Sequence, residues 1–318
     1  MSSAPGEMLE QATCLFEHPE TPKLLFRRPD WWLGCPGDFA WHRCPQCGLH
    51  FLSPRPGLEN IADYYPAHYA AYRVAIDQER WGLMRWKRRR NLRPAIAAVG
   101  SFFAQPGRLL DVGCATGNYL AEMRRRGWAV NGVEIQPQAA AYAREQLQLD
   151  VYNGDLLDAP FETQSFEAVT LWDVLEHTHE PLAIMQAVRR LLRPGGIVAF
   201  SIPDLQSSDA AHFGKHWIGF DAPRHLYLFE DETITLLLQR AQLEYLGRAH
   251  FLGTYHTWVA SWQTWLNAQL PDGAARRRLT RLAHLPFWAP LTAPYFAWLN
   301  RRGKGSVLTV YAMAPHER

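Results

Sequence analysis

Between residues 108 and 202 short apolar runs alternate with helix-forming runs, and no other feature limits the fold as much. Strands are expected at 108–112, 129–134, 150–152, 167–172 and 196–202, with helices at 117–126, 137–147 and 181–192. Strand-then-helix repetition requires crossover connections, so these strands run parallel and helices cover both faces of the sheet. A further helix at 231–241 and strands at 243–250 and 306–313 extend the pattern. The first unit reads "LLDVGCATGNYL", residues 109–120, a strand entering a glycine turn and then a helix. Gly113 permits a sharp turn, and Gly117 would let a ligand come close to the helix start. The G-x-x-x-G spacing differs from the G-x-G-x-x-G of dinucleotide sites. Asp111, just before the glycines, is a poor neighbour for a pyrophosphate and a good one for a ligand carrying an amino group.

Acidic residues recur at successive strand ends. "VNGVEI" ends in Glu134 and Ile135, "NGDLLD" places Asp155 and Leu156 after the third strand, and "VTLWDVLEHTHEP" follows the fourth. A carboxylate in the position of Glu134 can hold the two hydroxyls of a ribose. With "LLRPGGIVAFSIPD" supplying helix, turn and fifth strand, residues 108–202 resemble a class I S-adenosylmethionine-dependent methyltransferase. The resemblance implies an α/β, Rossmann-like seven-stranded sheet whose last strand is antiparallel, with the cofactor over the strand C-terminal ends. It places Asp111, Gly113, Cys114 and Gly117 around the methionine part, Glu134 and Ile135 at the ribose, and Asp155 and Leu156 at the adenine. The resemblance also implies Trp172 as a further cofactor neighbour. Cys114-Ala115 stands where many relatives carry Cys-Gly.

The cofactor's sulfonium is already an activated methyl donor, so the protein must orient the two substrates and exclude water. A hydroxyl acceptor also needs a base. Asp173, Glu176 and His177 resemble the D/E-x-x-E-H arrangement of quinone-ring and small-RNA 2′-O methyltransferases, where it binds a magnesium-type ion; helix capping and packing are the alternative account. "HWIGFDAPRHLYLF", residues 216–229, is similar to a stretch facing the methyl acceptor in a subgroup tied to glycan and secondary metabolism. There His225 or Tyr227 is the expected base, with His177 as a third candidate. Trp217 would form an apolar wall, and Arg224 either an anion clamp or a structural ion-pair partner. Upstream, Tyr64, Tyr65 and Tyr69 either close over the sulfonium or pack a helix.

"RCPQCGLHF", residues 43–51, carries Cys44 and Cys47 at zinc-knuckle spacing. Cys14 and His18 form the expected other half, with Cys35 as the alternative fourth ligand. Relatives through the "PRHLYLF" stretch often carry an N-terminal C-x-x-C…C-x-x-C-G-L ribbon, which "CPQCGL" matches at its second knuckle. The expected organisation is a zinc-ribbon-like lobe over 1–60, a helical cap or linker over 61–105, and a methyltransferase domain over 106–318 interrupted by an aromatic insertion at 251–304.

Five cysteines among 318 residues are too few for a disulfide scaffold, and the N-terminus has no basic-then-apolar leader pattern, so a cytoplasmic setting is expected. A net charge of +2 does not point to nucleic acid as a partner. "RWKRRRNLR", residues 85–93, puts Arg85, Arg88 and Arg89 on one helix face, read as solvated. The apolar run 282–299 contains Pro286, Pro290 and Pro294, which excludes a straight membrane-spanning helix. Flanking arginines fit a segment resting on the inner face of a membrane, with core packing or a substrate lid as alternatives. The functions weighed are O-methylation of a small hydroxylated or glycan-type acceptor, RNA binding or methylation, and sugar C-methylation.

Overall fold

The computed structural model describes residues 9–65, 81–252, 254–285 and 287–316. Tyr69 lies outside them. In the first stretch, β1 (Leu9–Glu10), β2 (Lys23–Arg28), β3 (Phe39–Arg43), β4 (His50–Leu52) and β5 (Arg55–Pro56) form an antiparallel lobe, and a 3₁₀ turn follows at Ile61–Tyr64. Helix α1 (Gly82–Gly100) leads into β6 (Arg108–Val112), α2 (Asn118–Arg124), β7 (Ala129–Glu134), α3 (Pro137–Leu147) and β8 (Asp150–Asn153). Next come β9 (Phe166–Trp172), α4 (Pro181–Leu191), β10 (Leu192–Pro203), α5 (Ser208–Phe213), β11 (Tyr227–Leu228) and α6 (Asp231–Arg240). The chain continues through β12 (Glu244–Leu252), α7 (Thr254–Gln269), α8 (Ala274–Ala283), α9 (Trp288–Arg301) and β13 (Val307–Met313).

Seven strands make the main sheet in the order β12-β13-β10-β9-β6-β7-β8. β6 to β10 run parallel where they pair with one another, and β13 runs antiparallel to both β10 and β12. This is the expected class I sheet, reversed last strand included. Its strands are apolar on both faces because helices cover both. Leu110, Val112, Val169, Leu171, Val198 and Phe200 belong to one buried cluster, and Leu109, Ala168, Ala199 and Val151 to another with residues of α1–α3. The aromatic insertion consists of three helices, α7 to α9, between β12 and β13.

The N-terminal lobe is less separate than a 1–60 boundary suggests. β11, from the "PRHLYLF" stretch, adds to its sheet in the order β11-β4-β3-β2, with Tyr227 opposite Phe51 and Leu228 opposite His50. Phe39, Trp41, Leu49 and Phe51 share one hydrophobic cluster with the main sheet's Val169 and Phe200. A sixty-residue unit buries little apolar surface alone, and here it borrows both a strand and a core.

Candidate active site

The glycine turn gathers the expected cofactor residues at the ends of β6 and β7. In-register pairing sets Asp111 beside Gly132 on β7 and Thr170 on β9. The Thr170 hydroxyl donates to Asp111 Oδ1 at 2.6 Å. Burial pushes the Asp111 carboxyl up to about 7, helped by the nearby Glu134 charge and opposed by the Thr170 bond. Gly113 has φ +69°, and a Cβ there would stand 2.6 Å from Val174. Gly117, at φ +76°, is required on its core side: a Cβ would meet Leu149 at 2.5 Å and Ala143 at 3.1 Å. Packing against α3 and the residue before β8 is thus by itself enough to demand a glycine here. Glu134 Oε2 accepts from the Ala115 backbone at 2.8 Å and Oε1 from Gln136 at 2.8 Å. Burial outweighs these bonds and lifts its carboxyl above the usual range. Cys114 is buried, Ile135 is 59% exposed, and Asp155 accepts from the Leu157 backbone at 2.8 Å. Leu156 turns into the core while Leu157 stays 42% exposed. The half-buried Trp172 meets Tyr119 edge-on at 5.6 Å.

Beyond β9 a second group converges. Glu176, His177 and His225 each offer a ligand atom within 4.8 Å of the others. The His177 and His225 rings meet edge-on at 4.6 Å. Nδ1 of His225 lies 2.8 Å from the Gly219 carbonyl, and Nδ1 of His177 lies 2.9 Å from the Arg224 carbonyl. A carbonyl only accepts, so each ring donates from Nδ1 and keeps its Nε2 lone pair. Tyr65 Oη is also 3.0 Å from His177 Nδ1. Desolvation lowers both imidazoles, His177 well below the ordinary histidine value, and the two rings add to that by mutual repulsion at His177. Glu176 Oε2 is buried with no hydrogen-bond partner, and burial raises its carboxyl strongly. Asp173, expected in this group, is left aside: Ser201 Oγ donates to its Oδ1 at 2.7 Å and accepts from its backbone N–H at 2.8 Å. Its φ of +54° is uncommon for a non-glycine residue, and burial raises its carboxyl above the usual range against the Ser201 bond and the nearby His225.

In the 216–229 stretch Arg224 takes the second of its two expected roles, that of a structural ion-pair partner, while Tyr227 and Trp217 depart from expectation. Arg224 is fully buried and uses all five N–H groups. Two reach Asp30 at 2.7 and 2.8 Å, two reach Asp221 at 2.6 and 2.8 Å, and one reaches the Tyr64 carbonyl at 3.3 Å. It has no donor left to clamp an anion and instead ties the lobe to the turn that carries His225. Tyr227 is buried on β11, accepting from Arg55 at 2.9 Å and directing its hydroxyl to the His179 carbonyl at 3.4 Å. That makes it a joint between lobe and domain, away from the base position. Trp217 is 1% exposed and packs edge-on to Phe220, so it is core rather than a cleft wall.

The lobe brings Cys14, His18, Cys44 and Cys47 together, all four ligand atoms within 4.8 Å. Cys14 Sγ is 3.6 Å from Cys47 Sγ, and His18 Nδ1 is 3.5 Å from Cys14 Sγ and 3.4 Å from Cys44 Sγ. A tetrahedron built on ordinary Zn–S and Zn–N bonds has edges of about 3.8 Å between sulfurs and about 3.6 Å from sulfur to nitrogen. His18 comes one residue later than a second knuckle cysteine would, and Glu17 takes up the difference at φ +59°. Cys35 is elsewhere, its thiol 4.0 Å from the Tyr64 carbonyl, so the alternative ligand set does not assemble.

The methyltransferase-domain family matches residues 84–247, just over half the chain. The chain belongs to that family. Among curated relatives of this methyltransferase, the ubiquinone biosynthesis O-methyltransferase of Xanthomonas oryzae pv. oryzae is 34% identical over 134 residues, covering 39% of this chain and 55% of the relative. The protein of the same name from Neisseria meningitidis is 36% identical over 104 residues, 30% of this chain and 43% of the relative. The chain thus spans about half the length of the curated relatives it matches. Among solved structures, a putative sarcosine dimethylglycine methyltransferase from Galdieria sulphuraria aligns over 80% of this chain and 96% of its own, with TM-score 0.48 and 15% identity. Geranyl diphosphate C-methyltransferase from Streptomyces coelicolor A3(2) aligns over 80% and 97%, with TM-score 0.49 and 13% identity.

Within the methyltransferase domain, sequence reasoning missed Thr170 and Ser201, which orient the two strand-end aspartates. The available signal was a hydroxyl residue inside each apolar strand, "AVTLW" and "VAFSIP". Gly219, whose carbonyl sets the His225 ring, left no such signal.

Proposed function

We propose that this chain transfers the methyl group of S-adenosylmethionine to an oxygen atom of a small hydroxylated acceptor held over the C-terminal ends of β9 and β10. The observation that carries this reading is the convergence of Glu176, His177 and His225 beyond the glycine turn. On the cofactor side, Asp111 takes the amino group of the methionine part. Glu134 receives the ribose hydroxyls on lone pairs that its two backbone bonds leave open, and Ile135 and Leu157 flank the adenine. On the acceptor side, each imidazole presents Nε2 because its Nδ1 is tied to a carbonyl.

The same three side chains fit a divalent cation: two imidazole nitrogens fixed by outer carbonyls, and a buried carboxylate oxygen without a partner. Bound there, such an ion lowers the pKa of a hydroxyl ligated to it. Glu176 balances the positive charge that gathers at this point, whether it arrives as a cation or as the acceptor's proton on His225 Nε2. Asp173, whose carboxyl senses the charge of His225, belongs to the acceptor side of this reading. The names of the curated relatives support oxygen as the receiving atom. In the lobe, a structural zinc held by Cys14, His18, Cys44 and Cys47 fits the distances and leaves no coordination position for a substrate.

The test is a screen with methyl-labelled cofactor against phenols, nucleotide sugars and lipid-linked glycans, followed by mass spectrometry of the product. A methyl ether is expected. A product methylated only on carbon or nitrogen would overturn the oxygen assignment, and failure of the protein to bind the cofactor in calorimetry would overturn the whole reading.

A further inference from the structure

Helix α9 carries a wide apolar face of which only one flank is buried. Phe296 and Leu299 face inward and are buried. Trp288, Leu291, Tyr295 and Trp298, at i, i+3, i+7 and i+10, form a second stripe that remains between 39% and 66% exposed. The apolar face of this helix is thus wider than the part its own fold covers. The stripe widens through Leu279 and Leu282 on α8 and Leu285 and Phe287 in the connection, all at least 36% exposed. Its rings are already arranged against one another: Phe287 lies 4.8 Å from Trp288, and Tyr295 stacks on Trp298 at 6.2 Å.

The charges on these helices are one-sided. Residues 254–304 contain Arg276, Arg277, Arg278, Arg281, Arg301, Arg302 and Lys304 against a single acid, Asp272. Arg276 and Arg277 both pair with Asp272. Arg278, Arg281, Arg301 and Lys304 are exposed, and Arg302 lies 5.3 Å over the Trp298 ring. Cations beside indole and phenol rings on an exposed apolar helix face suit the interface of a bilayer that carries negative headgroups. Nucleic acid would use the cations and leave the aliphatic stripe in water. A cavity of about 620 Å³ opens from the same surface: Leu279, Leu282, Trp288 and Tyr295 belong both to the stripe and to its wall, with Trp258 and Trp262 behind. An aliphatic chain rising from a bilayer has a place to enter there. Among the described residues no helix is long and apolar enough to cross a membrane.

We propose that α8 and α9 dock this protein, lying flat, on an anionic lipid bilayer. The inference stands apart from the methyl-transfer reading, since it concerns a different surface and is tested without turnover. Vesicle flotation of the full chain is the experiment, using phosphatidylcholine alone and phosphatidylcholine with phosphatidylglycerol. The protein floats with the second and not the first, and added salt weakens the association. The triple variant Trp288→Ser, Leu291→Ser, Trp298→Ser loses binding by more than about tenfold. Arg278→Ser and Arg302→Ser each weaken it about fivefold. Unchanged thermal unfolding and cofactor affinity show that the variants fold. Should the triple variant not fold, Leu291→Ser alone, at the most exposed position of the stripe, carries the test. Absence of flotation with phosphatidylglycerol, or undiminished flotation of the folded variants, overturns the proposal. So does light scattering that shows a wild-type dimer which the triple variant converts to monomer, because the stripe then belongs to a second copy of the chain.

Discussion

The two sides of the proposed site are built in different ways. The side bearing Asp111, Gly113 and Glu134 comes from β6, α2 and β7, which are consecutive in the chain and hydrogen-bonded along their length. The side bearing His177 and His225 is assembled from the end of β9, the turn before β11, and a lobe more than a hundred residues upstream. Arg224 joins its pieces through Asp30 and Asp221 in a fully buried network. The first side is local and rests on backbone geometry; the second depends on a tertiary clasp. Damage to the clasp should therefore disable the acceptor side and leave the cofactor side intact.

The largest expected effect comes from the lobe. Cys44→Ser should abolish the zinc content of about one ion per chain, measured by metal analysis, and with it methyl transfer. Structural zinc sites contribute on the order of 10 kcal/mol to folding in small domains. Cofactor affinity by calorimetry should survive; its loss would show that the two sides are not separable. Arg224→Met comes next. It leaves two buried carboxylates without their cation, and should cost about 3–5 kcal/mol in denaturant unfolding.

His225→Ala should lower turnover by about 10²–10⁴ with cofactor affinity unchanged; full activity would remove the imidazole from the chemistry. A smaller effect belongs to the other side. The Asp111 carboxyl is raised to about 7 by burial, so it is neutral below that pH and ionised above it. Only the ionised form attracts an ammonium group, so cofactor affinity should fall as pH drops below about 7, approaching tenfold per pH unit. A flat profile would take Asp111 out of the cofactor contacts. The smallest effect is expected for Tyr227→Phe. It removes hydrogen bonds between lobe and domain worth about 1 kcal/mol each, visible in unfolding and absent from turnover.

The same division explains what could be read in advance. Strand positions, the glycine turn and each half of the Cys14/His18 and Cys44/Cys47 set follow from spacing over a few residues, and the structure brings the two halves together across about 30 residues. Gly117 was readable as a necessary glycine, but not the reason, since Leu149 and Ala143 approach it from the next unit. Tyr227 and Trp217, and Arg224 in one of its two readings, look like site residues because they surround His225 in sequence. Their side chains turn instead to Asp30, Arg55 and the core, partners that only the packed lobe supplies. The neighbours of His225 in space, Glu176 and His177, were visible as a motif and not as its neighbours.

The pairing of Tyr227 and Leu228 with Phe51 and His50 bears on how this chain is made. Synthesis proceeds from the N-terminus, so β4 leaves the ribosome long before β11 exists. Until then one edge of the lobe's sheet has no partner strand, and unpaired edges invite association with other chains. That edge is covered only after most of the parallel sheet has been translated. The short strand is thus a checkpoint in assembly: a nascent chain truncated before residue 227 presents an open lobe, and a finished one seals it.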